Sequence, residues 1–257
     1  MRETAFAKLN LALHVRAREP DGYHRIETLF AFCENGDVLS AAPGEGLSLT
    51  VTGPFAAALG EEADNLVLRA ARALGIDDLA LTLEKNLPVA SGIGGGSADA
   101  AAALRLLGGG RADLPEIAAS LGADVPACLA SRVARGEGKG EQLSFVEDAG
   151  LAGMPVLLIN PRVALSTAEV FAAWDGVDRG PLGDWREGRN NLEAPARRLV
   201  PEIGAVLNAL AEAPFARMSG TGATCFGLFD SDASRDAMQA RIAADHPAWW
   251  TLATRLK

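Results

Sequence analysis

An α+β fold in two domains is what the sequence predicts, and three observations carry it. Short alternating apolar segments mix with amphipathic helical ones without a strict strand–helix–strand repeat, which disfavours a doubly wound parallel sheet. The composition shifts over residues 147–153 just before a wholly apolar strand at 154–159, so the N-terminal domain is expected over 1–152 and the C-terminal one over 153–257. A glycine-rich stretch at 88–98 passes without a break into an alanine-rich helical run ending near Leu107, and the N-terminal half is organised around it. With 257 residues, 49% hydrophobic and 22% charged, the chain has ample apolar content for packed cores.

Residues 5–16 alternate cleanly, predicting a strand. Ala7, Leu9, Leu11, Leu13 and Val15 form an apolar back, while Lys8 and Asn10 sit side by side on the more polar face. The turn-rich loop at 18–24 holds Tyr23, the only tyrosine, and His24, one of three histidines. Strands follow at 26–32 and 47–52. Asp64 and Asn65 open a helix through Leu74, stopped by Gly75. A strand at 79–83 delivers Lys85 to the rim of the glycine loop, and Ser97 reads as the N-cap of the alanine helix. Asp113, Pro115 and Glu116 read as a capping box opening a helix to Leu121, while Pro126 is expected to hold the chain extended after Asp124. A glycine-broken turn at 135–142 leads to a strand at 143–146. The C-terminal part predicts helices at 167–174, 201–212 and 231–244, a second glycine loop at 219–224, and strands at 225–229 and 249–256.

Gly92, Gly94, Gly95 and Gly96 fall within five positions, where the backbone is free to take positive φ and to approach a ligand. A glycine loop feeding a helix N-terminus aims several unpaired N–H groups at one spot, with the positive end of the dipole behind them. That is an anion cradle suited to nucleotide phosphates; a plain turn is the alternative. Neither familiar fingerprint fits. No lysine follows the glycines as the P-loop requires, and Asp113, at about the right distance for the dinucleotide acid, opens a helix instead. Asp124 is the one charge among Ala123, Val125, Pro126, Ala127 and Cys128, which leaves two readings: a helix-end cap or other hydrogen-bonded structural carboxylate, or a functional acid or base. Lys8 and Asn10 read as solvated or as lining a cleft, and Tyr23 and His24 as loop packing or as a base-stacking platform.

The formal net charge of −9 argues against nucleic acid as a partner, and any anionic ligand must be held by local groups. Cys33, Cys128 and Cys225 are odd in number and widely spaced, which suits a reducing compartment better than a disulfide framework or a metal site. There is no signal peptide and no apolar run of ~18 residues, so a soluble cytoplasmic protein without a membrane partner is expected. Its oligomeric state is left open between monomer and weak homodimer.

Several separated segments resemble one family. The run Pro88, Val89, Ala90, Ser91, Gly92, Ile93, Gly94, Gly95, Gly96, Ser97 and Ala98 resembles the P-x-x-x-G-L-G-[GS]-[SG]-S-[AS] loop of the GHMP small-molecule kinases, and 219–223 looks like their late glycine motif. The segments 7–11, Asp21-Gly22-Tyr23-His24, Glu27-Thr28-Leu29-Phe30 and 121–126 narrow the match to a branch acting on a cytidine diphosphate-linked methylerythritol. The likeness spans nearly the whole chain. It implies an N-terminal half like domain 2 of ribosomal protein S5 and a ferredoxin-like C-terminal half. It further implies transfer of a phosphoryl group from ATP with Mg²⁺ to the 2-hydroxyl of that small-molecule substrate, in the non-mevalonate route to isoprenoids. By the same likeness Asp124 is the catalytic base and Lys8 its charged partner. Tyr23 and Phe171 sandwich the cytosine, His24 reads its edge, Asn10, Thr167, Gly220, Thr221 and Gly222 help place the substrate, and Asn65 and Lys85 lie near the nucleotide. The likeness gives no acidic metal ligand. Ala90 and Ile93 depart from the usual Gly and Leu, and Ala98 from a common second Ser, which bears on fit more than on chemistry. The rival readings are a mevalonate- or homoserine-kinase-like member, a non-catalytic nucleotide sensor on the same scaffold, and a glycine-rich scaffold without a ligand.

Overall fold

The computed structural model describes residues 1–59, 65–147 and 150–257. The chain forms two compact units: Met1–Lys8, Asn35–Val89 and Gly94–Ser131 make the first, and Leu9–Glu34, Ala90–Ile93 and Arg132–Lys257 the second. These units are drawn differently from a single division at 152/153, because strands β1 (Arg2–Arg18) and β2 (His24–Ala42) each run through both. Both strands outrun their expected lengths. In β2 the polar residues Glu34, Asn35 and Asp37 interrupt the alternation that would have revealed its continuation. The more polar face of β1 is buried too, with Lys8 3% and Asn10 2% exposed, so of the two readings the solvated one is excluded.

In the first unit β3 (Leu47–Thr52) runs parallel to β4 (Leu79–Glu84), and β4 pairs antiparallel with the end of β2, from Val38 opposite Glu84 to Ala42 opposite Ala80. Among the described residues four α-helices accompany these strands: α1 (Leu66–Ala73), α2 (Gly95–Leu107), α3 (Leu114–Leu121) and α4 (Val125–Ala130). Helix α2 packs against the other three. Ala98, Ala100, Ala101, Ala102, Ala103 and Leu104 are buried in those contacts, so the alanine run is a packing surface cut to let neighbouring helices approach. Ala102→Leu, which forces extra methylenes into that close-packed seam, is expected to destabilise by ~1–3 kcal/mol. The check is a lower urea midpoint at unchanged slope.

Three local expectations are corrected. The N-cap of α2 is Gly94, in a left-handed conformation with φ 66°, so Ser97 lies inside the first turn and is not the cap. Asp113 stands at the N-cap of α3 without a side-chain cap bond; Arg111, two residues earlier, takes its carboxylate in a two-pronged pair at 2.9 and 2.6 Å. Pro126 does not hold an extended segment but sits in the first turn of α4, where a fixed φ and a missing N–H cost little. Asp64 lies outside the described residues, while Asn65 caps α1 by accepting from the Val67 amide at 2.8 Å.

In the second unit the first part of β2 pairs with β5 (Ala134–Glu137), which pairs in turn with β6 (Gln142–Phe145). The order then is β7 (Pro155–Asn160), α5 (Thr167–Ala172), α6 (Glu193–Leu199), α7 (Glu202–Ala209), β8 (Phe215–Met218), β9 (Cys225–Leu228), α8 (Asp232–Asp245) and β10 (Trp250–Arg255). The four strands form an antiparallel sheet in the order β10-β7-β9-β8, the split β-α-β arrangement of ferredoxin-like folds. Leu157, Ile159, Leu192, Ile203, Val206 and Ile242 fill its core. The short elements α6 and β8 had no periodicity long enough to predict them: one carries Pro195 in its first turns, the other spans four residues. Among the described residues no helix is long and apolar enough to cross a membrane.

Candidate active site

The head of α2 is built as a nest. Ala98 N–H makes the first bond back to the Gly94 carbonyl at 2.8 Å, which leaves the amides of Gly95, Gly96 and Ser97 without intrahelical acceptors. Gly96 is exposed, and a Cβ on it would meet only Leu66 Cδ1 at 3.7 Å, so the Asn65 end of α1 borders the same loop. Against Gly94 lies Lys8, whose Cε is 2.9 Å from the place a Cβ would take there. Its ammonium is 3.1 Å from Asp124 Oδ2, with the lysine side chain 4% and the aspartate side chain 35% exposed. Asp124 occupies the N-cap position of α4 yet makes no cap bond. The helix-end cap is therefore not realised; its carboxylate faces Lys8 and remains reachable.

Lys85 is not at a rim. It is 1% exposed, and its ammonium pairs with Asp37 Oδ2 and, at 2.7 Å, with Asp99 Oδ2. Burial alone would lower the lysine's pKa, but the two carboxylates outweigh it and raise it. The sequence reading missed Asp37 and Asp99. The signal for Asp99 was a lone charge inside an alanine run; Asp37 had none, since one acid in a strand is ordinary. Ile93, Ala98 and Pro88 are buried packing residues of the loop, and Val89 is half-buried.

In the second unit the two glycine loops pack backbone to backbone. A Cβ on Gly92 would lie 2.4 Å from the Ser219 carbonyl oxygen, and one on Gly220 2.7 Å from that of Gly92. Ser219 Oγ accepts from Asn10 N at 3.1 Å and donates to Gly92 O at 2.9 Å, and Thr224 N donates to Ser91 O at 3.1 Å. Gly92 thus has a packing duty, at a positive φ of 75°. Ala90 stands at φ 50°, a left-handed region that costs an L-residue about 1–2 kcal/mol and would suit glycine. Asn10 Nδ2 donates to Thr28 Oγ1 at 2.8 Å, and Thr167 and Thr221 hydroxyls meet at 3.1 Å. Asn190, unforeseen, holds the late loop by donating to the Met218 and Gly220 carbonyls at 2.8 and 2.7 Å. Gly222, also left-handed, has Met218 Sδ 2.9 Å from its Cβ position.

His24 stacks on Phe171 with centroids 4.8 Å apart and meets Trp174 edge-on at 5.7 Å. Burial, helped by Arg18, lowers its pKa, so the imidazole is neutral near pH 7 and offers one donor and one acceptor. Tyr23 is 56% exposed, and Lys139, held by Asp21 at 2.9 Å, sits 3.8 Å above its ring. The structure thus pairs Phe171 with His24, and Tyr23 with Lys139.

A helix-head anion nest beside a lysine–aspartate pair defines a phosphotransferase-like class, and comparisons agree. Residues 65–132 match the family model for the GHMP kinases N terminal domain, and 176–248 that for GHMP kinases C terminal. A 4-diphosphocytidyl-2-C-methyl-D-erythritol kinase of Rhizorhabdus wittichii is 55% identical, over 99% of this chain and 94% of the relative. One of Paracoccus denitrificans is 52% identical over 99% and 96%. A crystal structure of 4-(cytidine 5'-diphospho)-2C-methyl-D-erythritol kinase superposes with a TM-score of 0.82 at 33% identity, covering 100% and 99% of the chains. The L. major mevalonate kinase shares the fold at a TM-score of 0.69 and 16% identity, covering 99% of this chain and 96% of its own. The chain belongs to the 4-diphosphocytidyl-2-C-methyl-D-erythritol kinase family of the GHMP kinases. The α+β, two-part fold expected from the sequence is this family's fold.

Proposed function

We propose that this chain transfers the γ-phosphoryl group of ATP to the 2-hydroxyl of 4-diphosphocytidyl-2-C-methyl-D-erythritol, releasing ADP, in the non-mevalonate route to isoprenoid precursors. The observation that carries the reading is the Lys8–Asp124 pair lying against Gly94 at the head of α2. Phosphoryl transfer asks the protein for positioning and charge stabilisation more than for covalent chemistry. The free amides of Gly95, Gly96 and Ser97, with the helix dipole behind them, receive the phosphates. Asp124 accepts the proton of the attacking hydroxyl, and the Lys8 ammonium offsets charge on the group in transit.

Among the described residues no three His, Cys, Asp or Glu side chains are grouped to hold a metal. Magnesium is taken to arrive with the nucleotide, held through phosphate oxygens and water, and the protein side chains that touch it are not assigned. Asn65, at the border of the loop, lies on the nucleotide side. Phe171, backed by His24, and Tyr23, steadied by Lys139, bind the cytosine, whose edge the neutral His24 reads. Asn10, Thr167 and the late loop 220–222 place the rest of the substrate. The functional division 1–152 and 153–257 is retained, since the nest and the base both precede it. The enzyme works in the cytoplasm on these small molecules, in keeping with three buried free thiols.

ADP release measured with the cytidylyl substrate, mevalonate and homoserine in parallel tests the assignment. Turnover is expected with the first alone, and comparable rates with either of the others overturn it. Phe171→Ala is expected to raise KM for the cytidylyl substrate by ~5- to 100-fold, the equivalent of one lost base stack, while KM for ATP stays put.

A further inference from the structure

Two buried carboxylates share one buried ammonium directly behind the nest. The Lys85, Asp37 and Asp99 side chains are 2%, 0% and 5% exposed. Asp37 Oδ1 is satisfied by the amides of Asn86 and Leu87 at 2.5 and 2.8 Å. Asp99 Oδ1, by contrast, has no hydrogen-bond partner among the described residues. Lys85 Nζ lies 3.1 Å, and Asp37 Oδ2 3.8 Å, from the point where a Cβ on Gly95 would stand, so the cluster sits under the first turn of α2. One cation and two ionised carboxylates leave an uncompensated negative charge in a dry setting, and a single proton shared by the carboxylates removes it. A polyphosphate on the amides of α2 brings more negative charge to the same helix end.

We propose that nucleotide binding at the head of α2 is coupled to the uptake of one proton by the Asp37–Asp99 pair, with Asp99 as the positioning residue whose neutral form completes the nest. The proton comes from solvent, the Asp99 carboxylate becomes a carboxylic acid, and its O–H is donated to Asp37; no other bond changes. Burial pushes the Asp99 carboxyl up to about 7; Lys85 opposes the rise and Asp37 adds to it. The surrounding elements bring other charges: Arg69 and Arg72 on α1, Arg105 at the far end of α2, Glu116 on α3, and Glu84 at the end of β4. Helix α4 contributes only the Cys128 thiol, held neutral by burial at about 12, and the Lys8–Asp124 pair beside it cancels its own charge. The inference rests on the reading of α2 as the phosphate site.

The test is calorimetry of Mg·ADP binding at about pH 8 in buffers of different ionisation enthalpy, with Kd followed across pH. Wild type is expected to take up close to one proton per nucleotide, and Kd to rise up to ~10-fold per pH unit above about 7. Asp99→Asn is expected to bind with no uptake and a Kd flat in pH. No uptake by the wild type, or wild-type uptake by Asp99→Asn, overturns the proposal. If Asp99→Asn does not fold, the wild-type measurement decides alone. Gly96→Val, on the exposed lip of the nest, separates the two ideas. Unweakened binding there means that the nucleotide lies elsewhere and the site reading fails, the proton link with it; weakened binding with no proton uptake in wild type sinks only the link.

Discussion

Asp124→Asn is expected to keep nucleotide affinity close to that of the wild type and to lose at least ~100-fold in turnover. The substitution keeps the size of the side chain and removes a carboxylate paired with Lys8, whose ammonium lies 3.1 Å away. An alcohol is a weak nucleophile, and an amide cannot take its proton, so the loss falls on kcat and leaves nucleotide binding alone. Because Lys8 is buried and would lose this ion pair, a denaturation midpoint is measured beside the rates, so that an unfolded fraction is not counted as lost catalysis. Near-normal turnover in a folded variant refutes the base assignment.

Lys85→Met is expected to cost ~3–5 kcal/mol of stability at neutral pH, because it leaves Asp37 and Asp99 facing one another in a dry pocket without their cation. The sign of the pH dependence follows from Asp99, whose folded pKa is already raised by burial. A carboxyl with a raised folded pKa binds more protons folded than unfolded, so stability falls as pH rises from its unfolded value through its folded one. The penalty in Lys85→Met is therefore greatest above neutrality and shrinks as pH falls toward about 5. Urea melts of both proteins at three pH values read this directly. A variant as stable as the wild type throughout would mean that the triad is not an isolated buried cluster.

Much of the site was legible because its signals are local. The glycine loop, the alanine helix it feeds and the alternation that sets Lys8 beside Asn10 depend on residues within one or two turns of each other. Asp124 stood out as one charge in an apolar run, and the family segments supplied the role proposed for it. Where the reading went astray, a distant partner had intervened. Lys85 looked like a rim lysine until Asp37 and Asp99 were brought onto it. Ser97 lost the cap to Gly94 because the left-handed turn needed to enter α2 over Lys8 suits glycine.

By itself, then, the sequence determined the family, the α+β class, the glycine loop that opens α2 and the two residues proposed to act on the hydroxyl. Tertiary structure alone decided that Lys8 meets Asp124, that Lys85 is a buried counter-ion, that His24 lies on Phe171, and that β1 and β2 thread both compact units. The reason is the range of the forces. Backbone propensity and side-chain periodicity act over a few residues and leave a local trace. Ion pairing and burial act between segments far apart in the chain, and that pairing exists only once the core has closed around them.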